Sequence, residues 1–252
     1  MSLWRQKLGA FAVHFAATLL LAAAAATLVF VIWFPEPFQT MVGGAKLFML
    51  VVGCDLALGP LISLVIYNPT KPRKQLLVDY AVVVAVQLAA MVYGVYVISN
   101  SRPVYVAFVK DRLEVVTAGE IEDADLDAAR RPEYRSLPNW GARLVGTKVL
   151  PQDHNEALFS GLAGKDVALV PKYYVPYESE LDDVRRRSQP LDLLAKHHPS
   201  APALIAAAQA ELKVPPEKLR WLPVKHRTGF WSALVNVETG VPVRYLPIDP
   251  PY

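Results

Sequence analysis

Three long apolar stretches constrain this chain more than any other feature of its sequence. They are residues 8–34, 47–67 and 80–101. Asp55 is the only formally charged residue inside them. A helix needs about 20 apolar residues to cross a hydrocarbon core about 30 Å thick. The sequence therefore predicts a three-helix transmembrane N-terminal region over residues 1–101, with helices at about 8–34, 45–67 and 77–99.

Basic residues near the apolar stretches predict the topology. They are concentrated before the first stretch and after the second, at Arg5, Lys7, Lys71, Arg73 and Lys74. The connection between the first two stretches has Lys46, which Glu36 offsets. Since Lys and Arg are retained on the cytoplasmic side, we expect a cytoplasmic N-terminus and an exported C-terminal domain. The first stretch exceeds the apolar region of a signal peptide, about 7 to 15 residues, so we expect it to be retained.

The exported part, residues 102–252, has a balanced charge. Six of the 26 basic and three of the 23 acidic side chains precede residue 102, which leaves 20 of each. This balance argues against nucleic acid as a partner. The single cysteine, Cys54, lies in the second apolar stretch and cannot form an internal disulfide.

The pattern of the exported part predicts an α+β extracytoplasmic C-terminal domain with a partly antiparallel sheet. Two β-branched strands at its start predict a hairpin: Val104–Val109 and Leu113–Thr117. Helices are predicted at Glu120–Arg131, Asp153–Leu162, Glu178–His198 with a break at Pro190, and Ala201–Leu212. The chain then returns to strands at Leu219–Lys225, Trp231–Val237 and Val241–Leu246.

Two polar residues inside the predicted spans need an explanation, because polar groups are costly in hydrocarbon. Asp55 and Gln87 each lie about ten residues into a span. If the second and third spans are antiparallel neighbours, the two side chains can share a hydrogen bond that joins the helices. The alternative is that Asp55 meets a polar group on the membrane helix of a partner. His14, in the first span, is predicted to be hydrogen-bonded within the helices.

No catalytic or metal-binding motif has the required spacing. Asp123, Asp125 and Asp127 resemble the start of a calcium loop, but Ala128 and Tyr134 occupy the positions that need glycine and glutamate. The histidines lack the context of a zinc site. We therefore expect no catalytic residues, no metal site, no cofactor and no small-molecule substrate, and we predict that the protein is not an enzyme.

Several motifs resemble one known family. They are Gly43-Gly44-Ala45-Lys46-Leu47, Asp55 with Gly59-Pro60-Leu61, Asn68-Pro69, Arg102-Pro103-Val104-Tyr105-Val106 with Asp111-Arg112, and Pro171 to Tyr177. In their sequence and order the chain resembles the TfpX/TfpZ family of type IV pilin accessory proteins, over nearly its whole length. The family has no catalytic residues to carry over.

The resemblance implies a bacterial inner-membrane protein that helps a type IV pilin to persist or to enter the pilus. The expected partners are the lipid bilayer and the pilin, whose membrane helix would contact the spans and whose head would contact the exported periplasmic domain. The residues that we expect at the contact with the helix are Asp55, Gln87, Gly59 and Pro60. The alternative is a membrane-tethered periplasmic ligand sensor or scaffold that acts through a separate partner, since neither cytoplasmic segment is long enough for an output domain.

Overall fold

The structure is a computed structural model that describes residues 3–68, 70–212 and 214–251. Pro69, part of one of the family motifs, lies outside the described residues. The chain divides into two compact units, Met1–Ser101 and Arg102–Tyr252. We describe each unit by itself.

The first unit is built from long apolar helices. α1 (Leu3–Thr27) continues as a π-helical segment, Leu28–Trp33, and a short α2 (Phe38–Met41) leads to α3 (Gly44–Ile66) and α4 (Arg73–Asn100). Three of these helical segments, Trp4–Trp33, Gly44–Ile66 and Arg73–Asn100, are long and apolar enough to cross a membrane. α1 and α4 begin several residues before the predicted starts, because a helix can continue through polar residues beyond the hydrocarbon.

The central helix of this unit is α3, which packs against both α1 and α4. An apolar cluster joins the three helices near the C-terminal ends of α1 and α4 and the N-terminal half of α3. Its buried members are Ala22, Val29, Phe34, Phe48, Val52 and Ile98. Gly43 precedes α3 with a positive φ of 77°, and Gly44 lies so close to the Phe34 ring that a Cβ atom would collide with it.

The second unit is organised around one mixed sheet. Its strands are β1 (Pro103–Val109), β2 (Arg112–Thr117), β3 (Arg143–Thr147), β4 (Tyr174–Pro176), β5 (Gln189–Pro190), β6 (Leu219–His226), β7 (Gly229–Asn236) and β8 (Pro242–Leu246). The strand order is β4-β3-β1-β2-β6-β7-β8, and β5 also pairs with β6. The β1–β3 and β2–β6 pairs are parallel and the others are antiparallel. Every residue of β1 is buried, as its uninterrupted apolar sequence predicts.

Two apolar clusters stabilise the sheet. One surrounds β1 and contains the rings of Tyr105, Tyr134 and Tyr174, with the centroids of Tyr105 and Tyr174 4.9 Å apart in an edge-on arrangement. The other lies at the β6–β8 side under the last two helices and includes Leu194, Ile205, Trp221 and Leu234.

The helices of the second unit are short. They are α5 (Asp123–Asp127), α6 (His154–Leu162), α7 (Leu181–Arg187), α8 (Leu191–His197) and α9 (Ala201–Glu211). The predicted helix over residues 120–131 is therefore wrong in length. A residue before proline avoids the helical region, and Arg131, before Pro132, is extended at φ −104° and ψ 130°. The side chain of Arg130 also turns away to bind the Asp153 carboxylate.

Candidate functional site

An elongated cleft of about 670 Å³ lies in the first unit, between α1 and α4. α3 packs against both of these helices and contributes Asp55 to the lining. The lining residues are Gln6, Gly9, Ala10, Val13, His14, Ala17, Thr18, Leu21, Asp55, Tyr67, Tyr80, Val84, Gln87, Leu88 and Met91. On α1 they run from Gln6 to Leu21, about 22 Å at about 1.5 Å per residue. The cleft is thus long, and its lining is mainly apolar.

Asp55 lies at the middle of α3 and faces the cleft. It is 11 residues from Gly44 and 11 from Ile66, the two ends of the helix. The residue is only 9 % exposed. Within the described part of the chain its carboxyl group forms no hydrogen bond. A carboxyl group at this depth is costly without a partner.

Gln87 and Gly59 are in contact where α4 crosses α3. The Gln87 amide lies against Gly59 so closely that a Cβ atom at position 59 would collide with it. Pro60, the next residue of α3, is buried within the helix. The absence of a side chain on Gly59 therefore lets the Gln87 amide lie against the α3 backbone.

The predicted hydrogen bond between Asp55 and Gln87 is wrong for the described residues. The contact of Gln87 with Gly59 explains the difference, because it places Gln87 one turn further along α3 than Asp55. Both side chains nevertheless line the same cleft. The structure thus brings Asp55, Gln87, Gly59 and Pro60 into one region.

The α1 side of the cleft has polar groups that are already paired. His14 Nδ1 is hydrogen-bonded to the buried Ser63 hydroxyl of α3, as expected for a histidine that joins helices. The Thr18 hydroxyl donates to the His14 carbonyl over 3.1 Å. On α4, by contrast, the buried Tyr80 hydroxyl has no partner among the described residues. Unpaired polar groups of α3 and α4 thus line the cleft, whereas His14 and Thr18 of α1 are already paired.

Sequence reasoning missed Tyr80 and Thr18 as parts of this site. The sequence position of Tyr80, at the start of the third apolar stretch, indicates only an aromatic residue at the membrane interface. A further signal was available, since Tyr80 and Gln87 are seven residues apart and therefore lie on one face of α4. His14 and Thr18 are likewise four residues apart on α1.

The arrangement is suited to holding an elongated apolar molecule with one polar group. Among the described residues no cluster of His, Cys, Asp and Glu is able to hold a metal ion. The second unit has a separate cavity of about 480 Å³ between the ends of β1 and β3 and α6. His154, Asp166, Glu180 and Asp183 are among its lining residues.

Comparison with known proteins identifies the family. A protein of Dichelobacter nodosus named "Fimbrial assembly protein, serogroup I" is 32 % identical over 243 residues, which cover 92 % of this chain and 93 % of the relative. The chain belongs to the fimbrial assembly protein family. The family model "Fimbrial assembly protein FimB" matches residues 2–43. The serogroup E1 protein of the same organism is 30 % identical over 239 residues, with 92 % of this chain and 93 % of the relative covered.

This membership supports the pilus-related class that the motifs indicated, under the name fimbrial assembly protein rather than TfpX/TfpZ. The relatives match across both units, so the two-unit arrangement is not peculiar to this chain. No solved structure matches this chain.

Proposed function

We propose that this protein is an inner-membrane accessory protein, or chaperone, that stabilises a type IV pilin before its assembly into pili. The cleft between α1 and α4 is the observation that carries the proposal. Its lining extends along about 22 Å of α1, it lies among helices that can span a membrane, and it contains a carboxyl group without a hydrogen bond from the described residues. The membrane helix of a pilin has the shape and apolar surface to enter such a cleft. The names of the relatives support a role in pilus assembly.

The proposed topology gives the protein two points of contact with its client. The N-terminus is cytoplasmic, the three helices cross the inner membrane, and the second unit lies in the periplasm, where it contacts the pilin head. Two weak contacts on one chain act at high effective concentration. Each contact can therefore be weak enough to release the pilin to the assembly machinery. In this role the protein has no enzymatic activity.

The test is co-purification of the pilin with the tagged full-length protein from gently solubilised membranes. Ala17 lines the cleft, whereas its neighbour Ala16 is exposed elsewhere on α1. Ala17→Trp places a large ring in the cleft and is expected to reduce pilin recovery at least fivefold. Ala16→Trp adds the same side chain to the same helix and is expected to leave recovery unchanged.

Equal recovery with both variants would show that the pilin does not use the cleft. Absence of pilin from the wild-type sample, in cells that express pilin, would contradict the proposed function itself. A thermal melt of each purified variant shows whether the helices remain folded.

A second candidate function is a membrane-tethered sensor, which the cavity of the second unit favours. Its volume of about 480 Å³ is in the range of small-molecule sites. The test measures whether fractions of a periplasmic extract raise the melting temperature of the purified protein. A rise that is absent from the Phe108→Trp variant, which alters the cavity lining, would support this alternative.

A further inference from the structure

The unpaired state of Asp55 points to the chemistry of the molecule that occupies the cleft. This inference rests on the proposed function and deepens it. A side chain that is nine-tenths buried, lies at mid-helix and faces a cleft has lost most of its water without gaining a hydrogen bond from the described residues. Burial of a polar group without a partner is unfavourable. The occupant of the cleft is therefore expected to satisfy it.

The walls of the cleft limit what the occupant is. The lining is mainly apolar, with Val13, Leu21, Val84 and Met91 among its members. A lipid chain matches these walls but provides no hydrogen-bond donor. A transmembrane helix with one polar side chain provides both an apolar surface and a donor.

We propose that Asp55 accepts a hydrogen bond from a donor side chain on the membrane helix of the bound pilin. A carboxyl oxygen accepts a hydrogen bond whether or not the group is protonated. The Gln87 amide, one turn from Asp55 along α3, and the Tyr80 hydroxyl, nearer the start of α4, provide further polar contacts for the same helix. The donor thus fixes the depth at which the pilin helix sits, because a shift of one turn would move it away from Asp55.

His14 does not serve this role, although it lines the same cleft. Its Nδ1 atom is already hydrogen-bonded to Ser63. The α1 wall is therefore expected to contact the pilin helix mainly through its apolar side chains, whereas α3 and α4 provide the hydrogen bonds.

The first experiment measures pilin recovery with Asp55→Leu and Asp55→Asn in the full-length protein. Asp55→Leu removes the acceptor and leaves the donor of the pilin unpaired, so recovery is expected to fall about tenfold. Asp55→Asn keeps an acceptor oxygen and is expected to stay within about threefold of wild type. The matched control is Cys54→Leu, since Cys54 is exposed, adjacent on α3 and outside the cleft.

A second experiment identifies the donor. Each polar residue of the pilin membrane helix is changed to leucine in turn, and recovery is measured with wild-type protein and with Asp55→Leu. For one residue the change is expected to reduce recovery about tenfold with wild-type protein and to have no further effect with Asp55→Leu. Such non-additivity is the signature of a direct contact.

The outcomes separate this inference from the proposed function. Full recovery with Asp55→Leu, together with loss on Ala17→Trp, would overturn the hydrogen bond and leave the cleft as the binding site. The hydrogen bond would also be overturned if the effect of Asp55→Leu added to the effect of every pilin substitution. Asp55 would then have no direct partner on the pilin helix. Absence of pilin from all samples would overturn both. Since Asp55 has no hydrogen bond among the described residues, Asp55→Leu is expected to melt no lower than wild type.

Discussion

Several residues that carry the family resemblance have structural roles. Gly43 has the positive φ that begins α3, and Gly44 gives room for the Phe34 ring. Tyr174, from the PKYYVPY motif, packs edge-on against Tyr105 of the first strand. Tyr177 of the same motif donates a buried hydrogen bond of 2.7 Å to the Gly240 carbonyl. These motif residues stabilise the fold, whereas Asp55 of another motif lines the cleft.

Gly44→Ala tests the close contact with Phe34. The added methyl group collides with a fully buried ring, so we expect a loss of about 1 to 3 kcal/mol in the free energy of unfolding. Gly53→Ala is the control in the same helix, because no atom lies within 4 Å of the place that its Cβ atom would take. Thermal unfolding in detergent followed by circular dichroism measures both. A Gly44→Ala protein as stable as Gly53→Ala would contradict the predicted collision.

An ion-pair network holds the parallel pair β2–β6. Glu114 of β2 binds Arg112 at 2.6 Å and Lys225 of β6 at 3.1 Å, and both cations also lie 3.3 Å from Asp166. Burial alone would raise the pKa of Asp166. The Val167 backbone N–H and the charges of Lys225 and Arg112 outweigh it, so the pKa of Asp166 is lower than its ordinary value of 3.8.

The lowered pKa gives a pH dependence whose sign follows from linkage. The contribution of Asp166 is present above pH 3.8 and is lost as the pH falls through its lower folded-state pKa. At pH 7 we expect Asp166→Asn to cost about 1 kcal/mol, a modest value because the group is partly exposed to solvent. The difference from wild type should shrink below pH 3.8, as denaturant titrations at several pH values would show. The control Asp182→Asn, at a side chain that is 97 % exposed, should stay within about 0.5 kcal/mol at every pH.

α6 differs from the other helices in its packing, since none of its residues is buried. Leu158, Phe159 and Leu162 are 60 %, 68 % and 77 % exposed. We expect Leu158→Ser to change the free energy of unfolding by less than about 0.5 kcal/mol. The same change at Leu194 of α8, which is fully buried, should cost about 2 to 5 kcal/mol. Comparable losses from the two variants would mean that α6 is packed more tightly than its exposure indicates.

The elements that sequence reasoning predicted have strong local signals. The three spans follow from apolar length, and the β1–β2 hairpin follows from its β-branched strands around Lys110 and Asp111. β3 and β4 were missed because each is short and gains its stability from neighbours distant in sequence. Val145 of β3 pairs with Ala107 of β1, and three residues of Tyr174–Pro176 form all of β4. Asp55 and Gln87 could be singled out because polar residues are rare in apolar stretches, but their separation depends on how α3 and α4 pack.

At the scale of the whole molecule, the two units have separate cores. The apolar cluster of the first unit and the two clusters of the second have no described member in common. A domain with its own core is expected to fold independently. Residues 102–252 exported without the helices should therefore unfold cooperatively, with coincident transitions by circular dichroism and fluorescence. Non-coincident transitions would indicate that the second unit needs the first.

Because α3 packs against both α1 and α4, the energetic coupling between residues of these two helices depends on whether the cleft is occupied. Val13 of α1 and Leu88 of α4 line the cleft, while both helices pack against α3. In the unoccupied protein, truncations at these two positions should therefore have additive effects on stability. A helix in the cleft would touch both side chains and make the effects interdependent by about 0.5 kcal/mol or more. The coupling energy between the two walls thus measures whether the cleft is filled, without any label on the client.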